Sequence, residues 1–135
     1  MSDTITQQAE PAIDRVLKKF AAGDPALFED MADSIDFRID HYRDELDVSW
    51  QVASNKAEMA ELLQRLGVEV FPKGTQALDI STRALGDDWY QTRFEQRYFY
   101  AVRQRMVESV THIISHQQDG RMDFFRETVT NVVNI

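Results

Sequence analysis

The order in which two hydrophobic periods follow each other constrains the fold of this chain more than any other feature. In residues 11–31, apolar side chains recur every three or four positions, as on one face of an α-helix. From residue 75 onward they alternate with polar side chains, as in strands with one buried face. This order predicts an α+β domain, in which helices pack on one face of a curved, mostly antiparallel sheet that can enclose a pocket.

Three helices are predicted before the long strands. Their apolar stripes and end signals place them at about residues 11–22, 25–31 and 55–67. Asp24 is predicted to cap the second helix, because its side chain can accept a hydrogen bond from the first turn. Gly67 is predicted to cap the C-terminus of the third helix.

Strands account for the rest of the predicted structure. One alternating strand spans residues 34–40, and a short strand is predicted around Val48, Trp50 and Val52. Residues 97–110 also have helical spacing, but the pair Asp119-Gly120 is typical of a hairpin and favours strands on both sides. The long strands are predicted at about residues 75–85, 89–102, 108–117 and 121–133.

Composition limits the class of protein. We expect one domain over residues 11–135, preceded by a frayed N-terminus at residues 1–10. The net charge of −8 argues against binding to nucleic acid or to anionic membranes. The absence of cysteine excludes thiolate chemistry and disulfides, and neither a signal sequence nor a long apolar run is found, so a cytoplasmic location is expected. A small organic molecule, neutral or partly apolar, is the expected partner.

Two neighbouring residues are candidate catalytic bases. His41 continues the alternating set that contains Ile35, Phe37 and Ile39, so it would face the pocket if the strand continues that far. Asp40 would then point away, unless the chain bends after it. Each residue also has a simpler interpretation, His41 as part of a solvated loop and Asp40 as a surface carboxylate.

The candidate ligand-binding residues are mostly aromatic or polar. Tyr98 is proposed to donate a hydrogen bond to an oxygen atom that gains negative charge in the reaction. Trp50 would cap the open end of the pocket or close the core, and Arg126 would bind a carboxylate only if its face is turned inward. His112 is predicted to face the pocket beside Val110 and Ile114. The remaining candidates, each of which could also be core, are Tyr90, Phe94 and Gln96.

His112 and His116 have the spacing of a metal-binding pair. On a helix they would lie one turn apart and could share a zinc ion. On a strand they stand roughly 13 Å apart, which is too far for one ion. The predicted strand therefore argues against a metal site, and with no glycine-rich phosphate loop in the sequence no cofactor is expected.

Three segments carry a resemblance to a known superfamily. They are FAAGDPALFEDMADSIDFRI, SNKAEMAELLQRL and SHQQDGRMDFFRETV, and over residues 11–133 the chain resembles the nuclear transport factor two-like proteins. The superfamily includes ketosteroid isomerase and SnoaL-like polyketide cyclases. The resemblance implies a cone-shaped fold, cofactor-free acid–base chemistry and a homodimer formed through the outer face of the sheet.

The resemblance also implies where catalytic residues should lie. In the isomerase-like branch a base follows the first strand, and Asp40 and His41 occupy that place. SnoaL-like cyclases have an aromatic residue and then an acid near the end of the final strand, whereas residues 128–131 contain neither.

Three functions follow as hypotheses. The first is a small-molecule-binding protein or acid–base enzyme of the isomerase, cyclase or dehydratase type, with His41 or Asp40 as the base. The second is a non-catalytic dimeric module that binds a ligand or a protein. The third is a small beta subunit of an aromatic-ring dioxygenase, since ESVTHIISHQQDGRMDFFRETV is similar to the C-terminal segments of such subunits.

Overall fold

The structure is a computed structural model that describes residues 10–41 and 48–135 of the chain. It confirms the α+β class, because helices lie mainly in the first half and long strands in the second. The elements are α1 (Ala12–Ala22), a 3-10 helix (Pro25–Asp30), β1 (Met31–His41), β2 (Val52–Ala53), α2 (Lys56–Glu69), β3 (Thr75–Gly86), β4 (Trp89–Tyr100), β5 (Arg105–Gln118) and β6 (Arg121–Asn134).

The six strands form one mixed sheet in the order β2-β1-β6-β5-β4-β3. Strands β3 to β6 pair antiparallel with their neighbours in sequence, whereas β1 lies parallel to β6. Asp87 and Asp88, with φ of 53° and 65°, and Asp119 and Gly120, with φ of 54° and 77°, adopt the positive φ that tight hairpins require. The Asp119-Gly120 turn lies where the sequence predicted it, and the other turn falls in the gap between the strands predicted at about residues 75–85 and 89–102.

The two α-helices pack their apolar stripes against the core. In α1 the buried residues include Ile13, Val16 and Leu17, whose spacing follows one face of the helix. The side chain of Asn55 accepts a hydrogen bond from the backbone N–H of Glu58 at 2.9 Å and so caps α2. None of the helices in the described ranges is long and apolar enough to span a membrane.

Three local predictions differ from the structure. The second predicted helix is a 3-10 helix, although Asp24 caps it as expected by accepting a hydrogen bond from Ala26 N. Helix α2 continues past Gly67 because the N–H groups of Val70 and Phe71 both donate to the Leu66 carbonyl and their side chains join the core. The short strand predicted around Trp50 begins only at Val52.

Side chains on the inner face of the sheet form the core together with the helices. Strand β4 directs alternate residues inward, as its sequence predicted. In β5 the inward set is largely small or polar, which is less typical of a core. The inward residues of the three central strands are Thr92, Phe94, Gln96, Tyr98 and Tyr100; Val107, Ser109, Thr111, Ile113 and Ser115; and Met122, Phe125, Glu127 and Val129.

A bulge near the start of β6 changes which residues face inward. Gln117 pairs with Met122 and His116 pairs with Phe124, so Asp123 is an extra residue in β6. Met122 and Phe125 are both buried although they are three positions apart. From Phe124 to Val129, the residues of β6 lie on the face opposite to the one that alternation from Met122 predicts. A second bulge between Val129 and Asn131 restores that alternation, and Val132 packs against the core.

Candidate functional site

A cavity of about 70 Å³ lies between the helices and the inner face of the sheet. Its wall is mostly apolar, so the few polar groups that line it act in an environment of low dielectric constant. The volume is several times what one water molecule needs. The polar or titratable residues that line it are His41, Gln51, Gln96, Tyr98, Tyr100, Ser109 and Glu127.

Glu127 is the buried carboxyl group of this cavity. It lies on β6 between Ile39 of β1 and Ile113 of β5, and it is only 8% exposed. Burial raises the pKa of Glu127 to about 7, and a hydrogen bond with the side chain of Thr111 opposes part of this effect. Within residues 10–41 and 48–135, no ion pair includes Glu127. A carboxyl group in this setting exchanges a proton near neutral pH, as general acids and bases do.

His41, the last residue of β1, brings a second titratable side chain to the cavity. In the parallel pairing of β1 with β6, Ile39 is opposite Glu127 and His41 is opposite Val129. His41 and Glu127 therefore lie on the same face, offset by two residues, which is about 7 Å along the strand. The structure places His41 at the cavity, as its position in the alternation suggested.

Asp40 lies on the opposite face of β1. Its carboxylate accepts a hydrogen bond from Arg38 Nε at 3.1 Å, and both side chains are about half exposed. Strand β1 continues through His41 without a bend, so Asp40 faces solvent rather than the cavity. The structure thus separates the two candidate bases and brings only His41 to the site.

Strand β4 contributes three of the predicted ligand-binding residues to the cavity wall. Phe94, Gln96 and Tyr98 are buried and line it. The Tyr98 ring contacts Phe71 edge-on, with ring centroids 4.6 Å apart, and this contact fixes its position. The Gln96 Oε1 atom accepts a hydrogen bond from the Thr75 hydroxyl at 2.7 Å.

Two other predicted aromatic residues pack against the core without lining the cavity. Tyr90 lies on the inner face of β4 near the hairpin that joins it to β3, beyond the cavity. Trp50 is half-buried, and the guanidinium carbon of Arg65 lies 4.0 Å from its ring centroid. Trp50 therefore closes the core edge, which was the simpler of its two predicted roles.

His112 and Arg126 lie on the outer face of the sheet, so the prediction that His112 faces the pocket is wrong and the condition for ligand binding by Arg126 is not met. His112 is exposed and is in register with Arg93 on one side and Thr128 on the other. Arg126 forms an ion pair with Asp36 at 3.0 Å. The β6 bulge turns Arg126 outward, and the apolar neighbours of His112 in β5 also face outward.

Sequence reasoning missed Glu127. The resemblance led to a search for an aromatic residue and an acid at positions 128–131, but Phe125 and Glu127 have that pattern slightly earlier and face inward. The signal was present, because Val129, Glu127 and Phe125 share one face of an alternating strand. No group of three or more histidine, aspartate or glutamate side chains that could hold a metal ion occurs in the part of the chain that the structure describes.

An open groove of about 380 Å³ lies next to the cavity. It runs between the 3-10 helix and α2. Phe20, Leu27, Leu63 and Phe71 line both spaces, so these four side chains form the wall between them.

Comparison with known proteins gives matches only at the level of structure, since no family model and no curated protein matches the sequence. A candidate polyketide cyclase of Pseudomonas putida has a TM-score of 0.70 at 13% identity and covers 88% of this chain and 91% of its own. A nuclear transport factor two-like protein of Anabaena variabilis has a TM-score of 0.68 at 10% identity, and the match covers 89% of this chain and 88% of that protein. A candidate isomerase of Rhodopseudomonas palustris has a TM-score of 0.64 at 16% identity, and the match covers 90% of this chain and 91% of that protein. At such identities the likeness establishes the fold alone.

Proposed function

We propose that this chain, which has the fold of the nuclear transport factor two-like proteins, is a cofactor-free acid–base catalyst that acts on a small, largely apolar organic molecule. Glu127 carries the proposal, because it faces the cavity and burial raises its pKa to about 7. At that pKa a carboxyl group both accepts and donates protons at neutral pH. Solved structures named as candidate cyclases and isomerases support this class of chemistry.

In the proposed reaction, the Glu127 carboxylate removes a proton from a carbon next to a carbonyl group of the substrate. The electrons of that C–H bond form an enolate, whose oxygen gains the negative charge. Tyr98 has no part in this step, because its partner Val107 lies six residues along β5 from Ile113, the partner of Glu127. Where a carbon–carbon double bond lies next to the deprotonated carbon, the enolate extends over it as a dienolate. Protonated Glu127 then returns the proton to the far carbon of that double bond, which moves the double bond into conjugation with the carbonyl group. The net result is an isomerisation that consumes no further reactant.

His41 supplies a second proton-transfer group in this proposal. It reaches the cavity from the strand next to that of Glu127. A neutral imidazole can accept a proton from a substrate hydroxyl, and an imidazolium can donate one to a leaving oxygen. A dehydration or a cyclisation requires such a second group, whereas a simple isomerisation needs only Glu127.

The proposal is tested by proton exchange, which requires no knowledge of the natural substrate. A panel of small ketones is incubated with the protein in D₂O, and the loss of the signals of protons next to the carbonyl is followed by NMR. Glu127→Gln keeps the size of the side chain and should slow this exchange by a factor of roughly a hundred or more. The matched control is Glu95→Gln on the outer face, where Glu95 pairs with Arg93.

Two results would contradict the proposal. One is exchange at the same rate in wild type and Glu127→Gln. The other is a Glu127 carboxyl group that titrates near its ordinary value of 4.5, followed by carbon NMR. Ligand binding with no exchange for any ketone would instead favour a non-catalytic binding module.

We also propose that the chain forms a homodimer through the outer face of the sheet. Ile114 and Trp89 are partly exposed there, and farther along the same face lie charged residues of both signs such as Arg97 and Glu108. Ile114→Asp would place a charge in that interface and should yield monomers in light-scattering measurements. Val68→Asp on α2 is the control, because Val68 is exposed and lies away from the sheet. Dimers that persist in the Ile114 variant would contradict this interface.

A further inference from the structure

Two polar side chains in the cavity keep hydrogen-bonding groups that no described residue uses. Ser109 is 1% exposed, and its hydroxyl has no partner within residues 10–41 and 48–135. Gln96 is 3% exposed, and its Oε1 atom is occupied by the Thr75 hydroxyl. In the same part of the chain, no hydrogen bond involves the Gln96 amide nitrogen. Buried polar groups normally have partners, so these two donors require an explanation.

Ser109 and Gln96 are direct neighbours. They are paired residues of β5 and β4, and both side chains line the cavity. Paired residues on one face of an antiparallel sheet have Cβ atoms about 5 Å apart. One oxygen atom between the two side chains can therefore accept a hydrogen bond from each.

These two donors are separated from Glu127. Glu127 pairs with Ile113, whereas Ser109 lies four residues earlier in β5. Four residues of a strand span roughly 13 Å. A ligand that contacts both places must therefore be elongated, with its oxygen atom remote from the carbon at which Glu127 acts.

We infer that Ser109 and Gln96 form a second binding subsite, which donates hydrogen bonds to an acceptor oxygen of the ligand. The inference deepens the proposed function and rests on it, because the same molecule presents an acidic C–H bond to Glu127. The ligand class is then an elongated, uncharged molecule with a ketone or ester oxygen at its far end. The subsite contains no charged group, so it favours such an oxygen over a carboxylate.

The test uses two probes of almost equal shape, cyclohexanone and methylenecyclohexane, which differ in the presence of the acceptor oxygen. Affinities are measured by NMR titration of the backbone amides. Ser109→Ala should weaken cyclohexanone binding about fivefold, the value of one hydrogen bond, and change methylenecyclohexane binding less than about twofold. Gln96→Met should have the same selective effect.

Ser115→Ala is the matched control. Ser115 is on the same strand and face and is equally buried, but it does not line the cavity. Its replacement should alter neither affinity. The inference is overturned if the Ser109 and Gln96 variants leave cyclohexanone binding unchanged, if they weaken both probes equally, or if wild type does not bind cyclohexanone.

The experiments distinguish a failure of the second subsite from a failure of the proposed function. If Glu127→Gln abolishes exchange while Ser109→Ala leaves ketone binding unchanged, the second subsite is wrong and the catalytic proposal stands. If Ser109→Ala weakens ketone binding selectively and no ketone exchanges protons, the subsite stands as a binding site and catalysis by Glu127 is wrong.

Discussion

Glu127 and His41 face one cavity from two adjacent parallel strands, offset by two residues, because Ile39 pairs with Glu127 and Val129 pairs with His41. The relationship depends on the only parallel pairing among the described strands. It brings together two titratable groups that lie 86 positions apart in the sequence. Glu127 is the more deeply buried of these two groups, and its burial should make both activity and stability depend on pH.

The rate of proton exchange should follow the ionisation of Glu127. Only its carboxylate form can act as a base, and burial raises its pKa to about 7. The exchange rate per free enzyme should therefore rise about tenfold per pH unit below pH 7 and level off above it. Measurement of exchange in buffers from about pH 5 to pH 9 tests this. A midpoint near the ordinary pKa of a glutamate, 4.5, would show that Glu127 is not the base.

Stability should depend on pH through the same group. Because the pKa of Glu127 is raised on folding, the folded state binds the proton more tightly than the unfolded chain. The free energy of unfolding contributed by this group is then fully present below pH 4.5 and is lost as pH rises toward 7. The loss is about 3 kcal/mol, since each tenfold change in the acid constant is worth about 1.4 kcal/mol.

Denaturant titrations of wild type and Glu127→Gln at several pH values measure this contribution. The difference in free energy of unfolding between the two proteins should change with pH between 4.5 and 7 and stay constant above 7. A difference that does not depend on pH would mean that Glu127 ionises in the folded protein as it does in the unfolded chain.

The sequence was sufficient to predict those parts of the fold that depend on local pattern. The inward face of β4 follows from strict alternation between Tyr90 and Tyr100, with no bulge in its pairing with β5 to interrupt it. The two hairpin turns follow from residues that tolerate positive φ, such as Asp119-Gly120. His41 could be placed for the same reason, because β1 alternates regularly from Ile35.

The parts that could not be predicted depend on distant pairing. Asp123 is an extra residue only because of how β6 pairs with β5, which the sequence of β6 alone does not reveal. This bulge nevertheless makes Glu127 face inward and Arg126 face outward. In β5 the outward Val110 and Ile114 are more apolar than the inward Ser109, so the apolar face was mistaken for the core face. An apolar outer face is consistent with the proposed dimer, and polar inner residues are consistent with a binding cavity.

The ion pairs of Asp30 should stabilise the junction between α1 and the 3-10 helix. Asp30 accepts hydrogen bonds from Arg15 at 2.9 Å and Lys19 at 2.7 Å. Burial raises the pKa of Asp30, but the hydrogen bonds from Lys19 and Arg15 outweigh it, so the pKa lies below its usual value of 3.8. Asp30→Asn should cost about 2 kcal/mol at neutral pH.

A comparison with Asp33→Asn tests this contribution. Asp33 is almost fully exposed, and its ion pair with Lys56 is long, with the Asp33 Oδ1 and Lys56 Nζ atoms 3.7 Å apart. That variant should change the free energy of unfolding by less than about 0.5 kcal/mol. The effect of Asp30→Asn should decrease as pH falls below 3.8. The ion pairs stabilise the folded protein only while the Asp30 carboxylate is ionised, and this contribution is lost as the carboxylate takes up a proton. Equal effects of the two variants at neutral pH would argue against the Asp30 cluster.

Ser109→Ala should stabilise the protein. The hydroxyl is buried and has no partner among the described residues, and an unsatisfied buried group costs about 1 kcal/mol or more. Its removal should therefore raise the free energy of unfolding by about 1 kcal/mol, as expected where a binding group is retained at the expense of stability. Ser81→Ala is the control, because the exposed Ser81 hydroxyl on β3 donates a hydrogen bond to Asp79. This variant should change the free energy of unfolding very little. A destabilised Ser109→Ala would indicate that the hydroxyl is satisfied in the folded protein.

Thr111→Val should raise the pKa of Glu127 further. The Thr111 hydroxyl donates to the Phe94 carbonyl oxygen at 3.5 Å, and its interaction with the Glu127 carboxyl group lowers the pKa and so partly opposes the effect of burial. Valine has nearly the same shape, so the variant removes the hydrogen bond without opening a cavity. The loss of one hydrogen bond corresponds to about half to one pH unit, and the midpoint of the exchange profile should move up by that amount.

Thr92→Val is the control for this shift. Thr92 is equally buried on the inner face, but its hydroxyl hydrogen-bonds to the Thr82 hydroxyl. That variant should lower stability while it leaves the midpoint of the exchange profile unchanged. If Thr111→Val moves the midpoint no more than Thr92→Val, or moves it to lower pH, the hydrogen bond does not control the ionisation of Glu127. A shift to higher pH in the Thr111 variant alone would identify the group that titrates as the carboxyl next to Thr111, independently of any Glu127 substitution.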